Sequence, residues 1–315
     1  MSSSVGKKGG DAKVTMTVLG CGNMALAVLS GIFASLTDSN SSSPPPGHPS
    51  RFIACNRSQS GTAKVLKVLG HYKLDLKTVR NENVAACKEA DIVLLGCKPY
   101  MVNDLLAVEG MRDALEGKLL ISVCAGVPVE QMEKALYGGS SEDHAETSRR
   151  CRLVRVLPNM AAAIRESMTV VATSTPPLPE DMSTIITWIF KQVGEVIYLP
   201  PNMMDISTAL SGSSGPFFSL MLEAATDGAV AMGLTRPEAL KMAAYAMRGT
   251  AGLVLNGEHP AVLREKASSP GGCTIGGLLV LEEAGVRGAI AKAVREATCV
   301  ASLLGSGVKN VNGTR

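Results

Sequence analysis

The sequence predicts an α/β fold, an N-terminal doubly wound and mostly parallel sheet, followed by an all-α domain. Three observations predict it. Strand-like and helix-like runs alternate from Val14 to Leu199. A glycine-rich turn joins the first strand to the first helix. Beyond Leu199 nearly every apolar run has helical character, with alanine, leucine and methionine on most faces.

In order, "VTMTVL" reads as a buried strand and "NMALAVLSGIFASL" as a helix. "TDSNSSSPPPGHPS" is too rich in serine and proline to join a core and reads as a surface insertion, residues 37–50. "RFIAC" is the next strand, "GTAKVLKVLG" a helix, and "DIVLLGC" and "KLLISVCAG" are strands. "PVEQMEKAL" is a helix with proline in its first turn. "RLVRVL", "SMTVVAT" and "EVIYL" add three short strands, with the helix "EDMSTIITWIFKQV" before the last. The expected organisation is a disordered tail over 1–12, a dinucleotide-binding domain over 13–201, a helical domain over 202–308 and a second tail over 309–315. Helices apolar nearly all round bury more surface than one small domain can hide, so residues 202–308 are expected to build a homo-oligomer.

Composition narrows the function. No run of eighteen apolar residues occurs, which argues against a membrane span. The net charge of +3 is small for 315 residues, and no basic stripe with aromatics points to nucleic acid. Eight cysteines, none spaced as CxxC, read as buried free thiols in a reducing compartment rather than zinc ligands or disulfides. The start lacks the apolar core of a secretory signal and the arginines of a transit peptide, which makes the cytoplasm the expected address.

The turn in "VTMTVLGCGNMA" places Gly20, Gly22 and Ala25 in the pattern G-x-G-x-x-A, directly after a strand and at the opening of a helix. In that context the motif is a Rossmann-type dinucleotide fingerprint: one glycine for the tight turn, one for approach of the pyrophosphate, and a small third residue for helix-on-strand packing. An NAD site would put an acid at the end of the second strand. Here Asn56, Arg57 and Ser58 stand there, and the guanidinium fork of Arg57 suits a 2′-phosphate. NADP(H) is therefore the expected cofactor, with NAD(H) second. Asp38 precedes the proline-rich insertion rather than ending a strand, and is set aside.

Pro99 should hold Lys98 extended at the carboxyl end of the sheet, as a cleft residue or a solvated one. Ala125 and Gly126 are small enough for a flat ring to lie above them. A second glycine turn, "SSPGGCTIGG", opens another helix at residues 268–277. It reads either as a helix cap built from serine and threonine hydroxyls or as a carboxylate site.

These motifs resemble pyrroline-5-carboxylate reductase, the NAD(P)H-dependent enzyme of the last step to proline. "LGCGNMA", "CKP", "VLPN", "TALSGSSGPFF" and "SSPGGCTIGGLLVLEEAGVRGAIAKAV" carry the resemblance, in order, from about Val14 to Leu304. It implies a Rossmann-type domain followed by a helical dimerisation domain, with dimers that often form larger rings. It places Gly20, Gly22, Asn23 and Met24 at the pyrophosphate and Asn56, Arg57 and Ser58 at the adenosine end. Asn83, Cys97, Lys98 and Ala125 line the rest of the cleft. Ser269, Gly271, Gly272 and Thr274 hold the substrate carboxylate, with Thr274 also the catalytic candidate that hydrogen-bonds the ring nitrogen. Where members commonly read SGSGPAY this chain has "SGSSGPF", residues 211–217, so Phe217 lacks a tyrosine hydroxyl.

A cyclic imine is readily protonated in water, so no strong general acid is needed. His259 reads as a loop residue, and Glu223 with Asp227 as structural partners on an apolar helix. Two other functions compete. A β-hydroxyacid dehydrogenase would need a lysine within "FFSLMLEAATDGAVAM", which has none. A non-catalytic NADP(H)-binding redox sensor would leave the second glycine turn without a role.

Overall fold

In the computed structural model, which describes residues 13–40, 43–138 and 149–305, β1 (Val14–Leu19) forms where six residues are covered on both faces. Its two threonines are buried as well, and the Thr17 hydroxyl donates to the Ala86 carbonyl at 2.9 Å, which avoids the cost of a buried unpaired hydroxyl. The other strands are β2 (Pro49–Asn56), β3 (Asp75–Arg80), β4 (Ile92–Leu95), β5 (Leu119–Ser122), β6 (Arg152–Leu157), β7 (Ser167–Ala172) and β8 (Gly194–Leu199). Among the described residues they make one eight-stranded sheet in the order β3-β2-β1-β4-β5-β6-β7-β8. Every pairing is parallel except β6 with β7. A short connection carrying a 3-10 turn over Met160–Ile164 allows that reversal.

Helices cover both faces. One layer packs α1 (Asn23–Thr37), α2 (Gln59–Leu69) and α7 (Glu180–Lys191) on Met16, Val18, Phe52, Leu94 and Ile121. Phe33, Phe52 and Phe190 are fully buried there, each stabilising the fold by roughly 1.5–3 kcal/mol. The opposite layer packs α3 (Asn83–Glu89), α4 (Val102–Leu106), α5 (Met111–Leu115) and α6 (Val129–Tyr137) on Leu19, Ile53, Leu95 and Leu120. Because the chain leaves β1 for α1 on one face and β4 for α4 on the other, a crevice opens beyond the carboxyl ends of β1 and β4, where such sheets bind ligands.

The described residues divide into two compact units, one made of those within residues 13–212 and 300–305, the other Ser213–Cys299. The first unit also holds α8 (Met204–Ser207), followed by a π-helical stretch over Thr208–Ser213. The second is all-helical: α9 (Ser214–Ala231), α10 (Arg236–Leu255), α11 (Pro260–Lys266), α12 (Cys273–Glu283) and the start of α13 (Val286–Gly305). A capping box between Thr235 and Glu238 starts α10, and Arg236 pairs with Asp227 of α9 at 2.7 Å.

Several expectations need correction. β3, α3, α4, α5, α8 and α11 are absent from the reading of the sequence, and α11 begins within the segment read as the loop "NGEHPAV". Pro128 caps α6 rather than sitting in its first turn. The insertion set at 37–50 overlaps the regular structure, since α1 runs through Thr37 and β2 begins at Pro49. His48, its last residue before the strand, stands edge-on to Trp188, 5.8 Å between ring centres. Six cysteines are buried or half-buried free thiols as expected, but Cys273 and Cys299 are exposed on this chain. The expected tails over 1–12 and 309–315 lie outside the described residues.

Candidate functional site

The parallel strands bring the residues after β1, β2, β4 and β5 to one edge of the sheet. Gly20 turns the chain there with φ +81°, a conformation that favours glycine. The N–H groups of Gly20 and Cys21 donate to the Cys55 carbonyl at 3.2 and 3.3 Å, tying the loop to the end of β2. A Cβ at Gly20 would stand 2.7 Å from the Cys97 Cα. Ala25, the third position of the motif, packs where a Cβ on Gly96 would come within 2.9 Å of its own. Gly22 caps α1 without a side-chain hydrogen bond, and the first turn carries no acid. The amides of Asn23 and Met24 are thus left at the positive end of a fifteen-residue helix.

At the end of β2, the Asn56 Nδ2 is buried without a hydrogen-bond partner. Arg57 beside it is exposed and makes no ion pair among the described residues. Ser58 caps α2, its hydroxyl accepting from the Gly61 N–H at 3.1 Å, so one of its lone pairs is already engaged. The structure adds a group that the motif reading missed: the Lys64 Nζ, on α2, donates to Asn23 Oδ1 at 2.5 Å. A cradle that a Cβ would fill, free amides, an orphaned amide nitrogen and two cations without an acid fit a phosphate-bearing dinucleotide.

Further along the edge, Lys98 is extended at φ −67°, ψ 141°, as Pro99 requires, and exposed. Asn83 is the half-buried first residue of α3, and Ala125 is exposed after β5. The Cys124 thiol donates to the Cys97 carbonyl at 3.3 Å. The Cys97 thiol is pushed up by its hydrogen bond with Cys124 and then by burial.

In the second unit, Gly271 has φ +68° and the Gly272 N–H donates to the Ser269 carbonyl at 3.0 Å, closing the second glycine turn. Gly272 caps α12 with no side-chain hydrogen bond, and that first turn has no acid either. A cap built from hydroxyls is therefore not what forms here. Thr274 is the second residue of α12 and exposed, and Ser269 is exposed beside it.

Two motifs distant in sequence meet in the first unit. Asn159, of "VLPN", donates from Nδ2 to the Ser211 carbonyl at 3.1 Å, and the Ser211 hydroxyl donates to the Met168 carbonyl at 2.8 Å. They pin the π-helical stretch that leads into α9. His259 caps α11, its Nδ1 accepting from the Ala261 N–H at 3.3 Å, and Asp227 is held by Arg236; both serve structure. A cavity of about 670 Å³ in the first unit, bordered by Glu130, Arg155 and Asp205, touches none of the expected cofactor residues.

Comparison with known proteins agrees with this layout. Residues 201–304 match the family model described as pyrroline-5-carboxylate reductase dimerisation, and residues 15–126 match that described as NADP oxidoreductase coenzyme F420-dependent. The chain is 56% identical over 321 residues to a pyrroline-5-carboxylate reductase of Lophium arboricola, covering 99% of each chain. It is 55% identical to one from Neurospora crassa, covering 96% of this chain and 97% of that one. The structure of a pyrroline-5-carboxylate reductase from Coxiella burnetii superposes with a TM-score of 0.76 at 26% identity, covering 93% of this chain and 99% of that one. A Plasmodium falciparum pyrroline carboxylate reductase, solved with NADP bound, shares the fold with a TM-score of 0.74 at 22% identity, covering 94% of this chain and 100% of that one.

Proposed function

The chain belongs to the pyrroline-5-carboxylate reductase family, and from that premise we propose that it reduces the C=N bond of 1-pyrroline-5-carboxylate to give L-proline, with NADPH preferred over NADH. The observation that carries the reading is a matched pair of helix starts, one in each unit. Gly22 before α1 and Gly272 before α12 both cap without a side chain, and neither helix has an acid in its first turn. Each leaves amides for an anion, phosphate at one and carboxylate at the other.

At the first, Gly20 and Gly22 let the backbone approach the pyrophosphate, and the Asn23 and Met24 amides receive it. Asn56, Arg57 and Ser58 serve the adenosine end, where the guanidinium favours a 2′-phosphate. Asn83, Cys97, Lys98 and Ala125 border the remainder of the dinucleotide. At the second, Ser269 and the amides opening α12 hold the substrate carboxylate, and Gly271 and Gly272 keep the approach free of side chains. When bound, the nicotinamide would supply a hydride to the C=N carbon of the substrate, the carbon that becomes C5 of proline. Thr274 hydrogen-bonds the ring nitrogen, whose charge changes as the iminium becomes an amine. The helical unit joins subunits into dimers and dimer-based rings, and the cytosol is the proposed compartment. No helix among the described residues is long and apolar enough to cross a membrane.

The test is the fall in NADPH absorbance when the purified chain meets pyrroline-5-carboxylate, with NADH alongside. Oxidation that yields proline is expected, faster at low cofactor concentration with NADPH. Tight NADPH binding without oxidation would overturn the reductase in favour of a redox sensor.

A further inference from the structure

Lys64 lies in the second turn of α2 and is exposed, so burial does not dictate where its charge goes. Yet its Nζ is held at 2.5 Å from the side-chain oxygen of Asn23, the first residue of α1. This is the end of a helix where the backbone dipole is positive and where carboxylates, not ammonium groups, are favoured. Neither α1 nor α2 carries an acid in its first turn. No carboxylate among the described residues stands within ion-pair distance of Lys64. The charge also reaches the glycine loop itself. Burial pushes the Cys21 thiol up to about 12, and the Lys64 ammonium opposes that rise. A cation held by a neutral amide against a positive helix end, on the helix that Arg57 directly precedes without an ion pair of its own among the described residues, is a site short of negative charge.

We infer that Lys64 is a phosphate ligand of the bound dinucleotide, a step that rests on the cofactor reading above. Asn23 holds the ammonium over the start of α1, where a phosphate oxygen replaces or joins the amide oxygen as acceptor. That exchange turns a neutral-acceptor bond into a charge-assisted one. Two phosphates offer this chemistry. The pyrophosphate belongs at the start of α1, and the 2′-phosphate belongs toward Arg57 at the start of α2. They differ in which cofactor feels the loss of Lys64.

Calorimetric titration of NADPH and NADH into the full chain tests this, comparing the parent protein with Lys64→Met, Lys64→Arg and Arg57→Ala. Lys64→Met should raise the NADPH Kd on the order of tenfold at low salt. The difference should narrow as salt screens an exposed charge. Lys64→Arg should keep most of the affinity, since it keeps the cation, and neither variant should change Tm. Equal weakening of NADH assigns Lys64 to the pyrophosphate. Weakening confined to NADPH, matching Arg57→Ala, assigns it to the 2′-phosphate. Unchanged Kd for both cofactors in Lys64→Met overturns the inference. Failure of the parent protein to bind either nucleotide overturns the cofactor reading instead.

Discussion

Gly20 sits directly against the backbone of Cys97: a Cβ on the glycine would lie 2.7 Å from the Cys97 Cα and 2.8 Å from its nitrogen. The contact joins the loop after β1 to the end of β4, the two strands that flank the switch in sheet order. Gly20→Ala meets backbone there and must also hold φ +81°. The left-handed conformation alone costs on the order of 1–3 kcal/mol. The loop is therefore expected to shift, lowering Tm and abolishing measurable NADPH binding. A variant that binds NADPH as the parent does would show that the loop is not the cofactor cradle.

This loop was legible because its chemistry is local, three small residues at fixed spacing between a strand and a helix. β3 was not. "DLKTVR" has apolar residues only at Leu76 and Val79, three apart and so out of strand period, and only Val79 is buried, since β3 is the sheet's edge. Lys64 was equally hidden. Its place beside Asn23, 41 residues earlier, comes from packing α2 against α1 and leaves no mark in the motif. The partnership of Asn159 and Ser211, 52 residues apart, is set by tertiary structure in the same way.

Thr274 separates binding from chemistry. Its hydroxyl, in the second position of α12, makes no hydrogen bond among the described residues, so removing it costs the fold little. Thr274→Ala should leave the NADPH Kd unchanged and lower kcat by about tenfold, the effect of one hydrogen bond worth roughly 1.5 kcal/mol. Thr274→Ser, which keeps the hydroxyl, should recover most of the turnover. Equal kcat for the alanine variant and the parent would remove Thr274 from the catalytic step.

Acid sensitivity should trace in part to Glu89. It accepts from Lys77 at 2.9 Å and from Arg51 at 2.6 Å, clasping α3 to the edge strand β3 and its neighbour β2. Hydrogen bonds from Lys77 and then Arg51 hold its carboxyl below the usual range. A depressed folded pKa contributes stability that is present above the unfolded value and is lost as pH falls through the folded one. Half-exposed pairs of this kind are worth about 0.2–1 kcal/mol after screening. Glu89→Gln should therefore lower Tm slightly at pH 7, and the gap should close in the acid range. A gap that persists when both proteins are fully protonated would assign the loss to packing rather than charge.

The second unit leaves large apolar side chains in solvent on a single chain. Met242 is 61% exposed and Tyr245 64%, and as i and i+3 neighbours on α10 they share one helix face. Leu279, Val280 and Leu281 on α12 are at least half exposed as well. Patches of this kind mark contact surfaces, and this segment matches the dimerisation family model. Replacing both Met242 and Tyr245 by glutamate would place carboxylates in that contact, and loss of two central anchors typically costs about 2 kcal/mol or more each. Sedimentation of the parent should give a dimer or a multiple of one, and of the double variant a smaller species at the same concentration. The first unit has its own core and should still bind NADPH in that smaller species. An unchanged mass would place the subunit contact on other helices of the second unit.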